Sequence, residues 1–430
     1  MRPSELLIGA GLVGLSTCSV LCDNITVISK YLSPLTTVEC NTKNQRWSDY
    51  AAPTASAIFN VGDENDVALI VQGAVKTNTP FLLQSGGNGW ANTFALGSNG
   101  IIIDVSGLKK ITFNSAKTEV TFQAGVTNAD IIDAAWNNNA RVSASTCNCV
   151  SLLGATLGGG LSRTQGVYGL NADQLLSLNI VTADGKKQTV TAKSNPELWW
   201  AMRGAGANFG IVTSATYKST PIAQASNTAW TGPVIFDQSK IEQVIAAVDK
   251  LVLEPEMQMD IYYTVSPIDG KPAVLTLPFY LGSEATGRTK FASILNLGPV
   301  YEATSVIPYN TWNSAGDAFC LDGGRKPSYT AGLKKLDPTT WRKVWNEYIA
   351  FYNTYPEANQ TVVLSECYSN TEAAKSVQND GTASYPHRDV KCYAIAIPWY
   401  TSTSLDSAAI NFGQKVRSLF TSTAGTSTPE

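Results

Sequence analysis

Glycine is the residue most densely placed where chemistry could happen in this chain. Ser85-Gly86-Gly87-Asn88-Gly89 directly follows a short apolar run, Pro80 to Gln84. Glycines at a strand end let successive N–H groups approach an anion with no Cβ in the way, as a phosphate nest requires. Taken alone, Gly-Gly after a strand is more often just an ordinary turn. A second backbone-approach loop follows, Gly154-Ala155-Thr156-Leu157-Gly158-Gly159-Gly160. Next comes Asn171-Ala172-Asp173, which leads into Leu178-Asn179-Ile180-Val181-Thr182-Ala183-Asp184-Gly185. The last block runs from Glu197 through Arg203-Gly204-Ala205-Gly206-Ala207-Asn208-Phe209-Gly210-Ile211-Val212-Thr213.

The reactive side chains lie between and beyond these loops. The chain has one histidine, His387, so a His-rich metal site is excluded and no metal is expected. It is the one imidazole able to titrate near neutral pH, and any Ser-His-Asp arrangement would have to use it. Glu366, in Ser365-Glu366-Cys367-Tyr368, is its candidate carboxylate partner or else a solvated strand residue. Tyr393 and Trp399 share a face at period two and could stack on a substrate or pack in a core. Eight cysteines (18, 22, 40, 147, 149, 320, 367 and 392) are too few for a disulfide-built scaffold. They suit one or two structural bridges of unassigned pairing. A Cys147–Cys149 bridge would be strained.

The elements that position these residues alternate from Pro53 onward. Asp63 to Val75 reads as a helix capped by Asp63 or Asn65, with Val67, Ile70, Val71 and Ala74 on one face. Strands are expected at Pro80–Gln84, Gly100–Val105 and Thr118–Ala124, and a helix capped by Asn128 over Ala129–Trp136. Leu175–Ala183 and Lys187–Ala192 form a hairpin across Asp184-Gly185, and Ile211–Lys218 closes this half. Beyond about residue 220 the composition shifts: 13 of the 17 tyrosines lie there, among longer helical stretches at Ile241–Leu253 and Trp341–Tyr355. That pattern predicts an antiparallel sheet with helices on its outer face.

Composition limits the partners. Charged residues are 15% and hydrophobic ones 44%, which argues against disorder. A formal charge of −3 without charge runs offers no case for nucleic acid, so a small-molecule ligand is expected. Arg2 followed by uncharged Leu6 to Leu21 and then Cys22-Asp23-Asn24 has the order of a secretory signal peptide (residues 1–22). The run is short for a membrane span, so no membrane anchor is expected. Gly9-x-Gly11-x-x-Gly14 inside it matches a dinucleotide fingerprint only formally, because neither a preceding strand nor a following carboxylate is available. Sequons at Asn24 and Asn359 agree with secretion.

The four glycine-bearing blocks, in this order and spacing, resemble the PCMH-type FAD-binding domain of the vanillyl-alcohol-oxidase superfamily, specifically its berberine-bridge-enzyme-like branch of secreted fungal type. The resemblance covers about residues 40–220, with an echo at Thr382-Ala383-Ser384-Tyr385-Pro386-His387-Arg388. It implies an α+β, two-domain fold: an FAD-binding domain (40–220) and a substrate domain (221–420) whose antiparallel sheet is covered by helices. It places Ser85, Gly86, Gly87, Asn88 and Gly89 at the pyrophosphate. Gly154, Gly158 and Gly159 would line the cofactor channel, and Asn208, Gly210, Ile211 and Val212 the adenosine half and the ring.

Set against the family pattern, three departures and one further position matter. Asn88 replaces the histidine that forms the 8α-histidyl bond. Cys147 stands where bicovalent members carry the 6-S-cysteinyl link, so FAD is at most monocovalent through Cys147, or non-covalent. The closing Tyr-x-Asn segment has no counterpart after Leu419, which leaves 421–430 as a tail. Val150 lies where the family faces the flavin and, as a small side chain, goes with molecular oxygen as acceptor. The expected activity is oxidation of a small organic substrate (an alcohol, amine, phenolic natural product or carbohydrate), with hydride passing to flavin N5. His387, Glu366 or Tyr393 would take the substrate proton. The alternatives are an FAD-containing cyclase or isomerase of a natural-product pathway, and an inactive family member.

Overall fold

The computed structural model describes residues 30–90, 94–369 and 383–423. The expected signal peptide, the sequon at Asn24 and residues 424–430 of the tail lie outside the described residues. The first sheet contains β1 (Thr37–Cys40), β2 (Ala57–Asn60), β3 (Phe81–Gln84) and β4 (Ile101–Asp104), in the order β1-β2-β4-β3. Strands β2, β4 and β3 run parallel. β4 is buried along its whole length, which suits Ile-Ile-Ile in a parallel strand covered on both faces. The helix Glu64–Lys76 follows β2; Asp63 caps it, accepting from Asn65 N, and Val67, Ile70, Val71 and Ala74 are buried, as the periodicity requires.

The second sheet holds β5 (Ile111–Phe113), β6 (Glu119–Gln123), β8 (Leu175–Val181), β9 (Lys187–Val190) and β10 (Ile211–Lys218), all antiparallel, in the order β5-β6-β10-β8-β9. The β8–β9 hairpin turns through Gly185, whose φ of +75° favours glycine. A short pair, β7 (Ala140–Arg141) with β11 (Thr220–Pro221), ends this half. One capping assignment changes. Thr127, not Asn128, caps the helix Asn128–Asn137 through a capping box with Asp130. Asn128 is free to act elsewhere.

The remaining strands are β12 (Thr228–Thr231), β13 (Val234–Phe236), β14 (Met257–Val265), β15 (Pro272–Tyr280), β16 (Tyr301–Glu302), β17 (Ser305–Pro308), β18 (Tyr329–Leu333), β19 (Val362–Tyr368) and β20 (Cys392–Ile397). They form one antiparallel sheet with the path β16-β13-β15-β14-β19-β20-β18. Alternation in β14 sends Met257, Met259, Ile261 and Tyr263 into the helix-covered core. Gln258, Asp260 and Tyr262 point to the opposite face, toward the first half of the chain. The helices Ile241–Lys250, Pro338–Thr354 and Asp406–Thr423 cover the sheet. In the second of these, Asp337 caps Thr340 N with Pro338 at the first position, and Trp341, Val344, Trp345, Tyr348 and Phe351 face inward. Among the described residues no helix is long and apolar enough to cross a membrane.

Candidate active site

The parallel strands β3 and β4 end side by side at Gln84 and Asp104, and a buried polar network forms there. Gln84 Nε2 donates to Asp104 Oδ2 (2.8 Å), and Gln84 Oε1 accepts from Asn44 Nδ2 and Arg46 Nη1 (both 2.9 Å). Arg46 Nη2 also holds the Gly89 carbonyl at 2.7 Å. The network therefore fixes both ends of the Ser85–Gly89 loop. Ser85 Oγ donates to Ala124 O (2.8 Å), and Gly87 adopts φ +69°. A Cβ at Gly86 would lie 2.9 Å from Ser151 N and 3.1 Å from Cys149 O, so the loop presses on the segment Cys147–Ser151. Among the described residues, the N–H groups of Gly86, Gly87 and Asn88 donate to no protein acceptor. The Asn88 Oδ1 atom is buried and unpartnered.

Asn128 explains how the second segment is held. Its side chain donates to Cys147 O (2.9 Å) and Val150 O (3.0 Å) and accepts from Ser145 N (3.0 Å). Cys149 is disulfide-bonded to Cys320, and Cys367 to Cys392. Cys147 is the free thiol, with its Sγ 3.6 Å from that of Cys149 and 3.7 Å from that of Cys320. Burial pushes the Cys147 thiol up to about 11, and the negative charges of Glu366 and Asp317 add to the shift. Gly154 N donates to Ser151 Oγ (3.3 Å), which caps the following turn.

From the other side, the third sheet presents a row of polar residues. Asp260, Glu366 and Tyr393 stand directly opposite one another in β14, β19 and β20. Glu366 accepts from Thr146 Oγ1 (2.8 Å), next in sequence to Cys147. This contact brings a carboxylate of the second half onto the loop that carries Cys147 and Val150. Asp260 is fully buried and accepts from Arg163 Nη1 (3.3 Å) and from Gln258 Nε2. Arg163 Nη1 also reaches Gln258 Oε1 (2.8 Å). Nothing in the sequence singled out Arg46, Arg163 or Asp260, because none belongs to a motif.

His387 and Glu366, a candidate pair from the sequence, are not joined. Tyr385 OH donates to Tyr393 OH (2.8 Å), which donates to the His387 carbonyl (2.7 Å). The His387 ring packs edge-on against Tyr385 at 5.6 Å, and no hydrogen bond or ion pair joins it to Glu366 among the described residues. Tyr393 and Trp399 also part company. β20 ends at Ile397, and Trp399 turns away to lie against Lys326, whose Nζ sits 4.1 Å from its ring and 4.5 Å from that of Trp47. Lys326 Nζ donates to Trp47 O (2.6 Å) and Leu321 O (2.5 Å), which ties the two halves together.

The Gly158–Gly160 loop faces the same junction. Gly159 (φ +111°) leaves room for the Tyr385 ring, which would lie 2.6 Å from an added Cβ. Asp173 receives a bidentate pair from Arg388 (2.7 and 2.8 Å) and a further bond from Arg203 (3.2 Å). Of the remaining candidates, Asn208 is exposed and bonded to Ala205 O (3.1 Å), and Gly210 (φ +151°) opens β10. Ile211 and Val212 are buried in the first core. The structure thus brings Ser85–Gly89, Cys147–Gly154, Glu366 and Tyr393 to one junction, with Gly158 and Gly159 beside it. Asn208 to Val212 belong to a separate stretch.

Comparison with known proteins agrees with this geometry. Residues 55–191 match the FAD binding domain family. FAD-linked oxidoreductase OXR1 of Pyricularia oryzae is 34% identical over 389 residues, covering 89% of this chain and 76% of the relative. The chain is a member of the FAD-linked oxidoreductases. Among solved structures, xylooligosaccharide oxidase from Myceliophthora thermophila superposes with a TM-score of 0.79 at 18% identity, covering 94% of this chain and 87% of that one. BBE-like 1 from Physcomitrella patens gives 0.77 at 16%, covering 93% and 89%. These likenesses establish the α+β, PCMH-type fold, shared over nearly the whole chain.

The residues present fit FAD. Three N–H groups without a protein acceptor lie in the Ser85–Gly89 loop, a donor set suited to a phosphate, and the buried Asn88 Oδ1 beside them is left without a donor of its own. Asn88 has no ring nitrogen to alkylate, so no histidyl link can form there.

Proposed function

We propose that this FAD-linked oxidoreductase is a secreted oxidase that removes hydride from the C–H bond of an alcohol carbon in a small organic substrate, with molecular oxygen as final acceptor. The observation that carries this reading is the Glu366–Thr146 contact, which sets a carboxylate beside the Cys147–Val150 loop at the junction of the two halves. FAD supplies the hydride acceptor. Glu366 takes the hydroxyl proton as the carbonyl forms, and Thr146 holds its carboxylate in place. Tyr393, in register with Glu366, borders the same site. The small Val150 side chain supports access of oxygen. Of the candidate bases, Glu366 is favoured over His387, whose ring faces Tyr385.

Two disulfides support an oxidising compartment and hence secretion, and Asn359 of the second sequon is exposed. Carbohydrates head the substrate panel, because xylooligosaccharide and chitooligosaccharide oxidases share the fold. The test is anaerobic mixing of the purified flavoprotein with xylobiose, chitobiose, aromatic alcohols and amines. Bleaching of the flavin by an alcohol, followed by reoxidation in air with release of hydrogen peroxide, is expected. Product formation from any of these without bleaching would favour the cyclase or isomerase reading instead.

A further inference from the structure

Glu366 does not stand alone on its face of the sheet. We propose that Asp260 is a positioning residue for the reaction assigned to Glu366, forming with it a carboxyl pair that shares one proton against the single buried charge of Arg163. This rests on the reading of Glu366 as the base.

Three observations converge. Asp260 and Glu366 are register partners in adjacent strands, so their side chains leave the same face at neighbouring positions. Asp260 is fully buried and Arg163 nearly so, and theirs is the one Arg163 ion pair among the described residues. Two carboxylates beside one guanidinium would leave a net negative charge inside the protein, which burial makes costly. One proton on the pair removes it. The titration of Asp260 agrees: burial pushes it up to about 7, with the Glu366 charge raising it further against the pull of Arg163.

The groups facing this pair are Arg163 and Cys147 from the first half, Tyr262 from the same strand, Tyr368 from β19 and Tyr393 from β20. Tyr262 and Tyr368 are held well above the ordinary phenol range by burial, and burial likewise raises Cys147 and Tyr393. All four stay neutral near pH 7, so the two carboxyls and Arg163 carry the charge of the cluster.

The proton count then follows through a turnover. Before reaction the pair holds one proton, on Asp260, and Glu366 is the free base. The substrate O–H bond breaks and its proton passes to Glu366, while the C–H electron pair leaves as hydride to the cofactor. The pair now holds two protons beside Arg163, and one must depart to water before the next cycle. Asp260 thus holds the proton of the resting pair, so that Arg163 faces one negative charge, and the cluster returns to one proton afterwards.

The experiment is infrared difference spectroscopy of the carboxyl C=O stretch against pH, on flavin-loaded wild type, Asp260→Asn and Glu366→Gln. Wild type should show a protonated-carboxyl band that vanishes as pH rises through about 7. The band should be missing in Asp260→Asn, and in Glu366→Gln its midpoint should move to lower pH because a like charge has gone. Absence of any such band in wild type, or its survival in Asp260→Asn, overturns the proposal. Should Asp260→Asn fail to fold, Glu366→Gln decides alone, and an unmoved midpoint refutes the pairing. In folded Asp260→Asn the pH midpoint of flavin reduction by the most active panel compound should shift, whereas a uniform rate loss would mark a merely structural residue. If Glu366→Gln reduces its flavin as fast as wild type, the base assignment fails while the infrared result still reports on the pair.

Discussion

Replacing Asp173 with alanine probes the joint between the two halves most severely. The carboxylate is almost wholly buried, as is Arg203, and Arg388 is 12% exposed. Arg388 comes from the second half and meets Asp173 through two short parallel bonds, the strongest geometry available to such a pair. Asp173 also accepts from Leu170 N at 3.0 Å, so it holds its own loop. Its removal leaves two guanidinium groups facing each other away from water, which costs about 3–5 kcal/mol when a buried partner is deleted. Arg388→Ala should cost less, about 1–3 kcal/mol, because Arg203 still neutralises Asp173. The assay is urea unfolding followed by both tyrosine and flavin signals, which separates loss of the joint from global unfolding. Asp173→Ala should move both midpoints strongly, and the double variant should be less destabilised than the sum of the singles. If Asp173→Ala unfolds at the wild-type urea concentration, the ion cluster does not join the halves as described.

Cys147 is the one free thiol among the described cysteines and belongs to the segment pressed against Gly86. If it carries the flavin, acid-precipitated wild type stays yellow and Cys147→Ala loses its colour; colourless wild-type precipitate would establish a non-covalent cofactor. Lys326→Met should destabilise the protein by about 1–3 kcal/mol at pH 7, because two backbone carbonyls lose their donor. Burial pushes Lys326 down from 10.5 to about 8, so the folded state releases this proton first and wild type gains stability relative to the variant as pH rises between those values. Thermal melts across that window check the sign, and a difference that stays constant or shrinks would contradict it.

The first half was legible because its signals are local. Gly185 needs φ +75°, Asp63 caps the next helix, and the Ser85–Gly89 turn follows its strand at once, all within a few residues. The helices over the third sheet were legible for the same reason. The site was legible only in part. Glu366 was read as a candidate partner of His387 or a solvated strand residue, whereas Asp260 and Arg163 reach it through pairing between distant segments. Periodicity carries no information on such register. The Cys149–Cys320 bridge is invisible for the same reason. Asn128 was misread because it is a good cap residue one place too late: Thr127 has the hydroxyl and Asp130 at the right spacing, which frees the amide to hold Cys147 and Val150. Of the two alternatives for Glu366, pairing with His387 is not seen because β20 begins beyond the histidine, so Tyr393 takes the position opposite the carboxylate.

The central claim is that Glu366 accepts the substrate proton while the flavin is reduced. Anaerobic stopped-flow reduction of wild type and Glu366→Gln tests it directly, using the alcohol that bleaches wild type fastest. Flavin content should be equal in the two proteins, since Glu366 contacts Thr146 rather than the Ser85–Gly89 loop. The reduction rate should fall by about 10²–10⁴-fold, the usual worth of a general base. A variant that binds flavin normally and is reduced at the wild-type rate would contradict the account.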